Sequence, residues 1–155
     1  MNLKRRVVEN LRPALLDHFG LPTALEAYFD ETCKRAGLEC RTTIPDEADP
    51  IPQALAIALF RVGQESLTNI IRHAKARRVE LSFEVGPTGY HLSIGDDGVG
   101  MDPERARSSH GLSGMRHRVV SLNGSFEIQS TPGKGTRLDV QVPFASPAPA
   151  SVTPA

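Results

Sequence analysis

The sequence predicts an α+β fold, a two-layer sandwich in which a mixed, mostly antiparallel sheet carries helices packed on one face. Three observations predict it. Helical and strand-like patterns fall in separate runs. Two pairs of strand-like runs are joined by short turn-forming segments, as hairpins require. The longest helical run is apolar around most of its circumference and so must lie against other elements. A chain of 155 residues suits one domain, which at this size buries roughly two-thirds of the surface its unfolded form exposes.

Residues 2–19 read as the end of a helix, interrupted at Pro13, and Gly20 punctuates it before a second helical run over about 23–36 that Gly37 terminates. Residues 38–44 alternate like a strand, and Pro45 through Pro52 form an acidic, proline-rich loop. A long helix is expected over about 51–75. Val79–Val85 and Tyr90–Ile94, joined across Pro87-Thr-Gly89, read as a hairpin, and residues 95–110 are glycine-rich and polar. A helix over about 112–122 precedes a second hairpin, 125–130 and 136–142, closed across Thr131-Pro-Gly-Lys-Gly135. The tail from Ala145, rich in Pro, Ala and Ser, is expected to be disordered. The organisation is therefore a helix end and linker over 1–20, a domain over 21–144 and a tail over 145–155.

Eighteen basic and eighteen acidic residues balance to zero net charge, so there is no broad basic face for nucleic acid. Cys33 and Cys40 lack metal-ligand spacing and read as ordinary buried thiols suited to a reducing cytoplasm. No stretch reaches the length of a membrane span, and the basic Lys4-Arg5-Arg6 is not followed by an apolar signal core.

On the long helix, Leu55, Leu59, Val62 and Ile70 share one face and Leu67, Ile71 and Ala74 a neighbouring one. Arg61, Glu65, Thr68, Asn69 and Arg72 fall in a polar sector, with Glu65 and Asn69 stacked at i, i+4. Taken alone the stripe fits a solvated face, although the amide oxygen of an Asn is a hard ligand suited to Mg²⁺. Asp96-Asp97-Gly98-Val99-Gly100 follows a strand directly, and period-two alternation sends Asp96 to the core face with Leu92 and Ile94 and Asp97 the other way. A carboxylate aimed into an apolar pocket calls for a donor, such as the exocyclic amine of a flat heterocycle. By itself the segment also fits a plain Asp-Gly turn. His110-Gly111-Leu112-Ser113-Gly114-Met115 reads as a glycine-rich loop opening a helix, an arrangement that presents free N–H groups to phosphate. Neither a Walker A motif nor a GxGxxG fingerprint is present.

In this order the motifs resemble the GHKL ATPases, which include gyrase B subunits, mismatch-repair ATPases, heat-shock chaperones and histidine kinases. Glu65-x-x-x-Asn69 matches the N box, Asp96-x-Gly98-x-Gly100 the G1 box and Gly111-x-x-Gly114-Met115 the G2 box. Gly133-Lys-Gly135-Thr136 matches the terminal Gly-x-Gly-Thr. The match spans about residues 55–143. Within that family, Phe60-Arg-Val-Gly-Gln-Glu-Ser-Leu-Thr-Asn69-Ile-Ile-Arg-His-Ala74 and His110-Gly-Leu-Ser-Gly-Met-Arg116 are similar to sensor kinases of the nitrate-sensor and thermosensor type, as is the upstream Leu11–Asp17 with Gly20-Leu21.

The resemblance implies an ATP-binding catalytic domain of a two-component sensor histidine kinase, with ATP and Mg²⁺ as cofactors. Asn69 would hold the metal, and Glu65 would sit near it or its waters; these two carry the catalytic expectation. Arg72, His73 and the Gly111–Gly114 loop, with Leu112 and Met115, would meet the nucleotide. Asp96, Gly98, Gly100 and Thr136 would hold the adenine, and Ser108 to Gly111 would belong to a mobile lid. In this branch the acceptor is a helical histidine followed by an acidic residue. His18, His73, His91, His110 and His117 precede Phe, Ala, Leu, Gly and Arg, so the acceptor is expected upstream of Met1, in a dimerisation domain. The implied partners are that domain and a helix-turn-helix response regulator, in a homodimeric parent of which this portion can be monomeric. The implied location is cytoplasmic, with the parent free to be anchored in the inner membrane. Two other readings stay open: a self-contained GHKL ATP hydrolase with Glu65 activating water, and a non-catalytic, nucleotide-dependent binding module.

Overall fold

A computed structural model describes residues 12–46, 49–102, 104 and 109–144, with side chains described from Leu16 onward. Residues 2–11 of the expected 2–19 helix and the expected tail from Ala145 lie outside the described residues, as does Ser108 of the expected lid.

Helix α1, Arg12–Ala36, is broken at Gly20, whose φ of 79° and ψ of 170° end one helical run and start the next. Pro22 stands at the start of the second run, where its missing N–H has no intrahelical partner to lose. Leu21, Leu25, Phe29 and Cys33 recur every fourth residue and are all buried. The helix ends in a Schellman arrangement: Leu38 N–H donates to Cys33 C=O at 2.8 Å and Gly37 N–H to Lys34 C=O at 3.4 Å, with Gly37 at φ 74°. The chain then enters β1, Glu39–Thr43.

Helix α2, Gln53–Asn69, buries Leu55, Leu59, Val62 and Leu67 together with Ala58, Phe60, Gly63 and Gln64. A Cβ on Gly63 would stand 2.8 Å from Leu25 Cδ2, so this position lets α1 and α2 come into close contact. The sequence predicts an α-helix to about residue 75; instead Ile70–Ala74 winds as a π-helical turn that ends at Lys75 in the left-handed region. The wider winding rotates the side chains beyond Asn69 away from their α-helical directions. Ile71, expected on an apolar face, is 42% exposed.

Strands β2, Arg78–Val85, and β3, Gly89–Asp96, form the first hairpin. Helix α3, His110–Val120, crosses back to β4, Ser125–Ser130, and β5, Thr136–Pro143, closes the second. The sheet order is β1-β2-β3-β5-β4, with β1 and β2 parallel and the other pairs antiparallel. A parallel pair needs a long crossover, and α2 supplies it. Alternate strand residues Val79, Leu81, Phe83, Leu92, Ile94, Leu138, Val140 and Val142 are buried in one core with the helices. The fold is thus the expected α+β sandwich. Among the described residues no helix is long and apolar enough to cross a membrane.

Asp97 ties the two long strands at one end. Its Oδ1 accepts from the N–H groups of Arg77 at 2.8 Å and Arg78 at 2.9 Å, and these bonds hold its carboxyl below the ordinary carboxylate range. A depressed folded-state value gives stability that is complete above the ordinary value of 3.8 and is lost as pH falls through the lower one. Asp97→Ala is expected to lower unfolding free energy near neutral pH by about 1 kcal/mol or less, since the site is exposed. Denaturant melts across pH should show the gap between the two proteins closing on acidification below 3.8.

Candidate nucleotide site

A pocket of about 110 Å³ opens where the end of α2, the end of β3 and the start of α3 meet. Its walls are mainly apolar: Ile70, Ala74, Ile94, Leu112, Met115, Ile128 and Leu138. Its polar groups are few, with Asp96 and Thr136 on the sheet and Ser66, Asn69 and His73 on the α2 side. A larger groove of about 600 Å³ lies at the break in α1, lined by Phe19, Asp46, Ile57 and Arg61 among others, and holds none of the residues expected to meet nucleotide or metal.

Asp96 is the last residue of β3, opposite Val79 and Thr136 in the register. Alternation with the buried Leu92 and Ile94 turns its side chain to the core face, as the sequence predicts. Burial pushes its carboxyl above the ordinary range, against the N–H groups of Gly98 and Thr136, which favour the ionised form. The Gly98 bond to Oδ1 measures 2.8 Å. Gly98 has no room for a side chain, because a Cβ there would overlap Ala74 C=O of the π-helical turn. Next to it, Val99 N–H donates to the same carbonyl at 2.7 Å. Gly100 turns at φ 72° and lines the pocket.

Thr136 Oγ1 is 2.7 Å from Ser130 Oγ across the β4–β5 hairpin, and Ser130 Oγ accepts from Met101 N–H at 2.6 Å. Met101 lines the pocket and Ser130 stands behind it, bonded to both Met101 and Thr136; neither carries a motif. The hairpin register, which sets Ser130 opposite Thr136, is the one signal that points to the serine.

The residues of the α2 polar stripe part company. Asn69 lines the pocket, its Nδ2 3.9 Å from where a Gly111 Cβ would stand. His73 lies at the rim. Thr68 Oγ1 donates to Gln64 C=O of its own helix at 2.9 Å, Arg61 lines the groove at the α1 break, and Arg72 is exposed away from the pocket wall. Glu65 is drawn to α3, where Arg118 Nη1 donates to its Oε1 at 3.3 Å. The sequence offers no local signal for that pair.

The segment expected as a loop before a helix is the helix itself. Ser109 is the N-cap, its Oγ accepting from Leu112 N–H at 3.4 Å while its carbonyl accepts from Ser113 N–H at 3.0 Å. Gly111 and Gly114 therefore sit in the first turns of α3, both exposed, and Leu112 and Met115 turn inward to the pocket. Met115 Sδ also accepts from Ser66 Oγ at 3.6 Å, closing the α2–α3 seam.

The family of histidine kinase-, DNA gyrase B-, and HSP90-like ATPases matches residues 54–146. LiaS, a sensor histidine kinase of Bacillus subtilis (strain 168), is 34% identical over 144 residues, which make up 92% of this chain and 39% of that protein. The histidine-protein kinase/phosphatase DegS of Brevibacillus brevis is 34% identical over 143 residues, 92% of this chain and 37% of that protein. The chain thus spans about two fifths of the length of these relatives. The histidine kinase domain of a blue-light activated kinase from Erythrobacter litoralis shares the fold, with a TM-score of 0.69 over 80% of this chain and 61% of that one at 19% identity. With the match covering more than half its length and the pocket assembled from the matched segments, the chain belongs to the histidine kinase-, DNA gyrase B-, and HSP90-like ATPases.

Proposed function

We propose that this chain is the ATP-binding catalytic domain of a two-component sensor histidine kinase, passing the γ-phosphoryl group of ATP to a histidine on an upstream dimerisation domain for relay to a helix-turn-helix response regulator. The observation that carries the nucleotide reading is Asp96, a single carboxylate held by two N–H groups and aimed into a small apolar pocket. A pocket of about 110 Å³ has room for a flat ring system, not a whole nucleotide. The adenine amine would donate to Asp96, with Thr136 and Gly100 beside it, and the ring would lie against Met115 and Leu112. Ribose and phosphates would extend toward Asn69, His73 and the start of α3. There the N–H groups of His110 and Gly111 stand at the positive end of the helix dipole. Arg72, exposed one turn past Asn69, would reach the phosphates only from outside the pocket. The sensor kinases among the relatives support phosphoryl transfer as the reaction.

Mg²⁺ would neutralise charge on the transferring phosphates. Among the described residues no three His, Cys, Asp or Glu side chains gather into a metal cluster. One amide oxygen, from Asn69, suits an ion that draws its remaining ligands from phosphate and water. The residues present therefore fit the metal as a companion of the nucleotide.

Asp96→Asn keeps the shape but replaces a charged acceptor, and is expected to weaken ATP and ADP by about 2–3 kcal/mol, roughly thirty- to a hundredfold. Calorimetry showing unchanged affinity would remove Asp96 from the site. Because the Asp96 carboxyl is held above the ordinary 3.8, wild-type affinity should already decline on acidification before that value is reached, and Asp96→Asn should show no such decline.

Asn69→Ala should abolish transfer of radioactive γ-phosphate to a supplied acceptor domain while ADP still binds, more weakly and with little Mg²⁺ dependence. Transfer at the wild-type rate in that variant would exclude Asn69 as the metal ligand. Rapid ATP hydrolysis by the wild-type chain alone, lost in Glu65→Gln, would instead favour a hydrolase.

A further inference from the structure

Glu65 and Asn69 stand four residues apart on α2, about 6 Å along its axis, yet only Asn69 lines the pocket. Glu65 instead pairs with Arg118. Its guanidinium holds Glu65 Oε1 at 3.3 Å from the far side of the α2–α3 seam. Arg118 lies one turn beyond Met115, whose side chain is fully buried and forms part of the pocket wall. With the two side chains 30% and 41% exposed, the pair adds about 1 kcal/mol or less to stability. Its larger effect is on where the carboxylate points.

We propose that Arg118 is a specificity-determining residue: by keeping the Glu65 carboxylate on α3, it denies a base to water at the γ-phosphate, so that bound ATP is kept for a histidine acceptor. The proposal rests on the kinase reading above. In hydrolysis a water oxygen attacks the γ-phosphorus, the bond to the β–γ bridging oxygen breaks with its electron pair leaving on ADP, and a base takes the water's proton. Among the described side chains Glu65 is the carboxylate placed one turn from Asn69, and freed from Arg118 it could swing toward that water. A histidine acceptor attacks with the lone pair of its imidazole nitrogen and does not need Glu65 to generate a nucleophile. Arg118 acts through Glu65, as a positioning residue.

The test is phosphate release from ATP by this chain with no acceptor present, alongside calorimetry with ADP. General-base assistance contributes about a hundredfold or more when fully placed; a base released by losing a pair worth about 1 kcal/mol should give about fivefold or less. Arg118→Ala and Arg118→Gln are therefore expected to raise phosphate release up to about fivefold while ADP affinity stays near the wild-type value. Arg118→Lys, which keeps the cation, should remain near the wild-type rate, and the double variant Arg118→Ala with Glu65→Gln should return to it. Wild-type rates in both neutral variants that bind ADP normally would overturn the proposal. So would a rise that persists in the double variant, or a loss of ADP binding in both neutral variants, which would make Arg118 a support of the pocket. Fast hydrolysis by the wild-type chain that Glu65→Gln abolishes would overturn the kinase reading as well, a failure visible before any Arg118 variant is compared.

Discussion

A carboxylate taken out of water must be given donors, and the arrangement around Asp96 reflects that requirement. Gly98 and Thr136 supply the N–H groups. To do so, the chain after β3 has to double back tightly, and it does so against the π-helical turn: Val99 N–H bonds Ala74 C=O, and Gly133 N–H bonds Val99 C=O at 2.6 Å. The end of α2, the β3 exit and the β4–β5 turn are thereby joined through backbone hydrogen bonds. Segments far apart in the chain form one site because each satisfies polar groups that the next would otherwise leave unpaired.

The sheet is legible in the sequence because period-two alternation is a local property that burial reads directly. Leu92, Ile94 and Asp96 share a face for the same reason that Val79, Leu81 and Phe83 do, and the inward aim of Asp96 comes from counting. The helix ends are less legible. An α-helical period carried past Asn69 puts Ile71 on an apolar face and leaves Arg72 beside Asn69, but the π-helical turn changes the count and both residues are exposed. Nothing in Ile-Ile-Arg-His-Ala announces that turn, whose last carbonyl, Ala74 C=O, is met by Val99 N–H of the β3 exit at 2.7 Å.

The start of α3 is obscured for a different reason. Two glycines in four residues suggest a loop, since glycine disfavours helix interiors by about 1 kcal/mol. The Ser109 cap and the burial of Leu112 and Met115 outweigh that preference, and the helix begins two residues earlier than the glycine pattern suggests. The Glu65–Arg118 pair, 53 positions apart, and the Met101–Ser130–Thr136 chain of hydrogen bonds are beyond any local reading. They exist only once α2 meets α3 and the second hairpin closes.

Among the described residues the sheet order leaves β1 and β4 each with one neighbour. Such strands offer bare N–H and C=O groups along their outer sides, and a passing extended chain could add itself there. Both are short, at five and six residues, and both carry charge on the open face, Glu39 and Arg41 on one and Glu127 on the other. A chain of zero net charge has little long-range repulsion to keep its copies apart. Among the described residues, protection against strand-to-strand aggregation therefore falls to a few ionised side chains at the two rims.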